Sequence, residues 1–401
     1  MNQIDKKPLV QMEAPESFPL EVLKLPVGAR QEYFEQHCLI SHPRLLEALE
    51  TTLQAICPPG EGASTRRPGT MVLLIGPSRV GKTTLIRLLE ERLLALSKAY
   101  MQASPSFIPF ASITASGPGT SRFEWAEYYR AVLRALHDPF VDGKVARIRA
   151  RELREAMETA LCKRQPLAII VDEAHHLAEA ARGSRLQSQL NHLKHFENAT
   201  GVSHILVGTY EMRPFRKVNA QLACRSVDVH FPRYDATIDS DAQMFRSVLW
   251  ALQRQLPVPE EPHLVEHWEF LYARSIGCIG LVKLHLNRAL NVALSEGART
   301  VTLAHLRKTA MSEARVELAL RNALESEAEL TESAGADERL LTLLGLRGQR
   351  PSAHSPQPED PPHTARAQPR RPGKRGPGRD PIGEGKKDST VPIPDEEQAA
   401  G

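Results

Sequence analysis

The chain has 401 residues, with 51 Lys plus Arg against 48 Asp plus Glu and a formal net charge of +3, so it has room for two or three folded units and a sizeable core, and its charge alone names no partner. No uninterrupted apolar run exceeds five residues, where a membrane helix needs about 20, and the N-terminal stretch lacks the apolar core of a secretory signal. The five Cys (Cys38, Cys57, Cys162, Cys224 and Cys278) are odd in number, widely spread and free of any C-x-x-C pair, which excludes a disulfide scaffold or zinc ribbon and predicts a reducing, cytoplasmic setting with no membrane contact.

In chain order, residues 1–28 read as a loosely held arm. Residues 29–56 read as helical, broken at His42-Pro43, and 58–69 as a loop rich in Gly and Pro. A strand over 71–75, a Gly-rich turn and a long helix from Lys82 to about Ala99 follow. A second strand fits 107–113, with helices over 121–135 and about 142–163. A third strand at 167–171 precedes a helix near 184–198. A fourth strand covers 204–207, then a short helix near 212–222 and a fifth strand at 226–231. This alternation predicts an α/β domain over 29–236, a parallel five-stranded sheet covered by helices on both faces. Residues 237–330 carry helical patterns only, which predicts a small all-helical second domain. No repeat of solenoid period occurs.

Residues 331–401 read as a linker and a disordered tail. Eleven of the 30 Pro lie between Pro351 and Pro394, and residues 345–401 hold no Phe, Trp, Tyr or Met. Such a segment cannot bury enough apolar area to offset chain entropy. Its charge is blocked: residues 347–387 hold ten Lys or Arg against four Asp or Glu, and 388–401 are acidic. The basic stretch is either an electrostatic tether for nucleic acid or a solvated tail.

The Gly-rich turn carries the chemistry. Gly76-Pro77-Ser78-Arg79-Val80-Gly81-Lys82-Thr83 fits G-x-x-x-x-G-K-[ST], followed by Thr84, with a strand entering and a helix leaving. Glycines let the backbone wrap a phosphate, and the amides and helix N-terminus point positive charge at it. Lys82 is placed to reach the β- and γ-phosphates of ATP, and the Thr83 hydroxyl to hold Mg2+. The strand at 167–171 ends in Asp172-Glu173. Parallel sheets carry function at strand C-terminal ends, so Asp172 is expected on Mg2+ through water and Glu173 on the attacking water. Thr209, just past the fourth strand, can set a hydroxyl near the γ-phosphate. Arg213, Arg216 and Arg225 are candidates for an arginine finger acting on a neighbouring subunit's nucleotide, with Arg225 favoured by its place between the short helix and the last strand.

These blocks resemble an AAA+ P-loop ATPase, and more closely the TniB/TnsC group of transposition regulators. The resemblance rests on residues 76–84 (GPSRVGKTT), 169–177 (IIVDEAHHL), 206–209 (LVGT), 221–235 (QLACRSVDVHFPRYD), 275–289 (SIGCIGLVKLHLNRA) and the upstream 38–49 (CLISHPRLLEAL), and it spans about residues 30–310. It implies an ATPase domain with a helical lid. It further implies a homo-oligomer, ring or helical filament, that binds double-stranded DNA without sequence preference and passes a marked target to a DDE transposase, alongside a target-selector protein. Hydrolysis then disassembles the oligomer. Carried over by motif, Lys82, Thr83, Asp172 and Glu173 bind and hydrolyse ATP–Mg2+, Thr209 is the sensor on the fourth strand and Arg225 the finger. One departure stands out: where many such lids carry an Arg, Gly277-Cys278-Ile279-Gly280 puts Gly280. The lid then lacks its usual second sensor unless Lys283 substitutes, which suits a slow nucleotide switch.

Other features compete. DEAH (residues 172–175) is also a helicase signature, but no second motor domain follows. His175, His176, His192 and His195 show no third-ligand pattern for a metal. Lys144, Arg147 and Arg151 fall on one helix face, a candidate phosphate track or simply a solvated face. Arg122 is a second DNA candidate, while neighbouring Phe123 and Trp125 read as core or interface rather than base-stacking. An origin-recognition or helicase-loader ATPase is an alternative that lacks its DNA-reading domain here, and a signalling or scaffold NTPase without DNA binding is another that lacks repeats or a receptor domain.

Overall fold

The computed structural model describes residues 17–57, 69–117, 123–139, 148–179, 184–216, 226–330 and 336–346. The chain divides into two compact units, Met1–Ser333 and Ala334–Gly401. The first runs α1 (Val27–His37), α2 (Pro43–Ile56), β1 (Met71–Ile75), α3 (Lys82–Ala103), β2 (Phe110–Thr114), α4 (Trp125–Ala135), α5 (Ala150–Arg164), β3 (Ala168–Asp172), α6 (His175–Glu179), α7 (Ser184–Thr200), β4 (Ser203–Gly208), α8 (Arg213–Arg216) and β5 (Ser226–His230). It continues through α9 (Asp239–Gln255), α10 (Trp268–Ser275), α11 (Ile279–Ser295), α12 (Leu303–Thr309) and α13 (Glu313–Leu330). The described part of the second unit holds one helix, α14 (Ala336–Leu343). The basic and acidic tail lies outside the described residues.

The five strands form one parallel sheet in the order β2-β3-β4-β1-β5. Apolar runs rather than alternating patterns make these strands because both faces are covered. In β1, Met71, Leu73 and Ile75 face one core with helices α4, α5 and α7, while Val72 and Leu74 face a second with α2 and α3. β3 divides in the same way, with Ile169 and Val171 on the first side and Ala168 and Ile170 on the second. Helix α2 begins with Pro43 at its first turn, where a missing N–H costs nothing. It buries Leu45, Ala48, Leu49, Thr52 and Leu53, the i, i+3, i+4, i+7 spacing of an amphipathic helix.

Several boundaries differ from the sequence expectation: α3 runs on to Ala103, and α5 begins at Ala150 rather than near residue 142. β2 begins at Phe110, three residues later than the apolar pattern suggests, because Pro109 supplies no N–H and Phe107 is held in a turn by Ser104. α4 begins at Trp125 rather than at residue 121; residues 121 and 122 lie outside the described residues. Phe123 is buried and forms an aromatic cluster with Trp125 and Tyr128, as expected of core residues.

Residues 239–309 form a separate helical core from α9, α10, α11 and α12. The leading helical segment is divided between the two bodies. α2 packs on the sheet, whereas Phe34 of α1 and Cys38 just after it join the lid core against α11. α13 then returns to the sheet side, where Ala323 is buried in the first core. Among the described residues no helix is long and apolar enough to cross a membrane.

Candidate nucleotide-binding site

Three strand ends converge. β1 lies beside β4, with Ile75 opposite Gly208, and β4 lies beside β3, with Leu206 opposite Val171. The turns that leave these strands are therefore neighbours at the carboxyl edge of the sheet, where open parallel sheets form their ligand crevice. Those turns carry residues 76–81, Glu173 and Thr209.

The loop after β1 can close tightly because of its backbone. Arg79 (φ 62°) and Gly81 (φ 125°) both have positive φ, a region that glycine enters freely and other residues enter at some cost. A β-carbon on Gly76 would stand 2.3 Å from the Phe231 carbonyl oxygen, so only glycine fits between β1 and the end of β5. Val80 anchors the loop by burying its side chain beside Phe231. Lys82 opens α3, and its ammonium, nearly sealed from solvent, donates to the carbonyls of Gly76 (3.2 Å) and Pro77 (2.8 Å). Burial lowers the Lys82 pKa, and the carboxylates of Glu173 and Asp172 act in the opposite direction.

At the end of β3 the Glu173 N–H donates to Asp172 Oδ1 at 2.8 Å. Burial raises the Asp172 pKa, and this bond opposes the rise. Glu173 has φ 53°, a left-handed conformation that costs a non-glycine residue about 1–2 kcal/mol and turns its side chain away from the strand path. Thr209 follows β4, and its hydroxyl donates to Glu211 Oε2 at 3.4 Å.

Ser78, Arg79, Gly81, Lys82, Thr83, Thr84, Asp172, Glu173 and Thr209 all line one cleft of about 720 Å³, a size typical of small-molecule sites. Pro77 lines an adjoining cleft with Thr209 and α13, and Gly76 and Val80 are buried behind the loop. The opposite wall of the first cleft comes from Glu35 of α1 and from Gly280, Lys283, Leu284 and Asn287 of α11. Lys283 reaches the cleft wall, while its ammonium donates to the carbonyls of Glu35 (2.8 Å) and Cys38 (2.7 Å) at the end of α1. A helix C-terminus is a favourable place for such a cation.

The cationic candidates divide. Arg213 donates from Nε to the Tyr210 carbonyl at 2.9 Å and pairs with Glu329 of α13 at 3.0 Å. Arg216 pairs with Asp228 of β5 at 2.5 Å. Both candidate fingers are thus engaged within the chain, and Arg225 lies outside the described residues. Arg151 is exposed and pairs with Glu155 one turn on at 2.8 Å, so its charge is locally matched. Arg122, Lys144 and Arg147 lie outside the described residues. Among the described residues no group of three or more His, Cys, Asp or Glu is placed to hold a metal.

Sequence reasoning passed over three features. His175 and Glu211 stand beside Glu173 and Thr209, and the only hint was that His175 follows Glu173 by two residues. The acidic end of α13 reaches back to the sheet: Glu327 pairs with buried Arg233 at 3.1 Å and accepts a hydrogen bond from the Tyr210 hydroxyl at 3.3 Å. Periodicity reveals that α13 is a helix but not which side chain it reaches.

The five-stranded parallel sheet, its phosphate-type loop and the helical lid define an AAA+ P-loop fold. The family model described as an AAA domain matches residues 65–215. No curated protein matches the chain. Among solved structures the chain is similar to the ORC2 protein of Aeropyrum pernix in its ADPNP-ADP complexes, at 15% identity over 71% of this chain and 74% of that one, with a TM-score of 0.49. It is also similar to the Drosophila ORC bound to DNA, at 15% identity over 86% and 87% and a TM-score of 0.47. A third likeness is to Cdc6p from Pyrobaculum aerophilum, at 15% identity over 70% of each chain and a TM-score of 0.48.

Proposed function

We propose that the chain is an ATP-hydrolysing AAA+ protein that assembles on double-stranded DNA and regulates transposition, in the manner of the TniB/TnsC group that its sequence blocks resemble. The observation that carries the nucleotide part is that Lys82, Thr83, Asp172, Glu173 and Thr209, from three strand ends, line a single cleft. The reading of DNA and transposase as partners rests on the sequence blocks and the basic stretch of the tail.

The donors present fit a magnesium ion: an exposed hydroxyl on the first turn of α3, Thr83, and the carboxylate of Asp172 line the same cleft. Magnesium commonly takes one or two protein ligands and completes its shell with substrate phosphates and water. Bound there, it neutralises charge on the phosphates. The amides of residues 78–83 and the Lys82 ammonium grip the β- and γ-phosphates, exchanging the Gly76 and Pro77 carbonyls for phosphate oxygens. Glu173 accepts a proton from the water whose oxygen bonds to the γ-phosphorus as the bond to the bridging oxygen of ADP breaks. The Thr209 hydroxyl marks the γ-phosphate. An arginine from a neighbouring copy completes the charge balance; release of Arg213 from Glu329 or of Arg216 from Asp228 would be required before either could serve.

The test is duplex DNA binding with ATP, ADP or no nucleotide, with electron microscopy of the product and Glu173→Gln as a trap. ATP-dependent, sequence-indifferent rings or filaments that persist with Glu173→Gln support the reading. Absence of DNA binding at low salt with ATP present overturns it. Nucleotide-dependent assembly without DNA favours a scaffold NTPase instead.

A further inference from the structure

The carboxylate assigned to the attacking water is not held by the phosphate loop. Its neighbour is an imidazole. Glu173 Oε2 stands 3.1 Å from His175 Nδ1, and that nitrogen is sealed from solvent and makes no aligned hydrogen bond. A buried, unsatisfied polar atom is destabilising, and a small rotation of the Glu173 side chain would complete the bond.

His175 is itself fixed from several sides. The N–H of the preceding Ala174 donates to the Val207 carbonyl of β4 at 2.9 Å. The backbone nitrogen of His175 comes so near Gly208 that a β-carbon there would stand 3.0 Å from it. Its ring packs on His176 with centroids 4.4 Å apart, and it is 9% exposed. On the far side of the ring, Nε2 faces Glu211 Oε2 at 3.9 Å, the same carboxylate oxygen that accepts from the Thr209 hydroxyl. Glu173, His175, Glu211 and Thr209 therefore lie in a polar row across the ends of β3 and β4, in which the step from His175 to Glu211 is longer than a hydrogen bond.

We propose that His175 is a positioning residue that holds the Glu173 carboxylate toward the cleft and links it, through Glu211, to the hydroxyl of Thr209. This rests on the ATPase reading above. A rigid imidazole pinned to β4 supplies what the left-handed turn at Glu173 lacks, a fixed direction for a side chain with three rotatable bonds. A ligand that draws the Thr209 hydroxyl releases Glu211 and shifts the far end of the row, so the state of the γ-phosphate reaches Glu173 without touching it.

The experiment compares wild type, Glu173→Gln, His175→Phe, His175→Gln and the double variant Glu173→Gln/His175→Phe. It reads kcat, KM, affinity for a fluorescent ATP analogue and melting temperature. A misplaced catalytic group loses about tenfold or more in rate. His175→Phe is expected to lower kcat by about that factor while analogue affinity and melting temperature stay near wild type. His175→Gln, whose amide can still donate to Glu173, is expected to recover part of the loss. Adding His175→Phe to Glu173→Gln is expected to change nothing further. Wild-type kcat in His175→Phe, with Glu173→Gln inactive, overturns the role of His175 and leaves the ATPase reading intact. Equal losses of kcat and analogue affinity in both His175 variants assign it a structural role and overturn the proposal. Absence of turnover in wild type that still binds the analogue overturns the ATPase reading and this inference together.

Discussion

The carbonyl oxygen of Arg79 occupies the space beside Gly280: a β-carbon built on that glycine of α11 would stand 2.3 Å from it. The lid helix and the phosphate loop thus meet backbone to backbone, at the position where a second sensing arginine would be expected. No side chain fits there while the lid sits on the loop. This explains why Lys283, one turn further along α11, is the lid cation that reaches the cleft wall.

The contact predicts an inverted outcome for a substitution that usually helps. Replacing glycine by alanine within a helix normally stabilises by about 0.5–1 kcal/mol. Gly28 of α1 has open space around its absent β-carbon, so Gly28→Ala should raise the melting temperature. Gly280→Ala should instead lower it, or weaken nucleotide binding by forcing the lid off the loop. Parallel thermal melts and nucleotide titrations of the two variants check this. Equal stabilisation by both would show that the lid does not rest on Arg79.

Lys82 predicts a larger effect on ligand than on fold. Its ammonium is held by two carbonyls of its own loop, bonds that it can trade for phosphate oxygens. Hydrogen bonds to a charged group are worth about 1.5–3 kcal/mol. Lys82→Met, which keeps the length and loses the charge, should weaken nucleotide affinity by about tenfold or more, with a smaller change in melting temperature. Titration with a fluorescent nucleotide gives the first quantity and calorimetry the second.

Much of this site was legible in the sequence, and the reason is local. Gly76, Lys82 and Thr83 lie within eight residues, and Asp172-Glu173 ends a short apolar run that reads as a buried strand. Thr209 was found the same way, as the residue after a strand. What stayed hidden depends on contacts between distant segments. Gly280 reads as a missing arginine until Arg79 is seen beside it, 201 residues earlier in the chain. α1 looks like part of the ATPase domain by adjacency, yet Phe34 packs in the lid core. The charges of Arg213 and Arg151 look free in sequence, but Glu329 and Glu155 meet them.

The Arg213–Glu329 pair belongs to a larger tie between α13 and the sheet. Arg233 is 5% exposed and pairs with Glu327 at 3.1 Å, while also donating to the Tyr272 hydroxyl at 3.2 Å. Removing one partner of a buried pair leaves an uncompensated charge, at about 3–5 kcal/mol. Glu327→Ala should therefore destabilise by several kcal/mol and speed amide exchange along α13. Arg233→Met combined with Glu327→Leu should restore part of the loss. Exchange measured by mass spectrometry distinguishes local release of α13 from global unfolding, since β1 should stay protected in the first case.

His42 sets an acid limit on the fold. It is 2% exposed, its Nδ1 lies 2.9 Å from the Tyr234 hydroxyl, and burial, with a further push from the Arg44 charge, takes its pKa down from 6.5 to about 4. Between those two values the unfolded chain carries a proton at His42 and the folded chain does not. Stability therefore falls as pH drops from about 6.5, and the loss from this group is complete below about 4. A shift of that size corresponds to about 3 kcal/mol. His192 and His230 are pushed to about 4 by burial as well, so they add slope in the same window. His42→Phe removes one of these groups while filling the same space beside Phe231. Denaturant melts at a series of pH values between 4 and 7 should show a shallower fall for His42→Phe than for wild type, with the two curves converging in slope above pH 7. Parallel slopes throughout the window would show that His42 takes up its proton over the same pH range in the folded and unfolded chains.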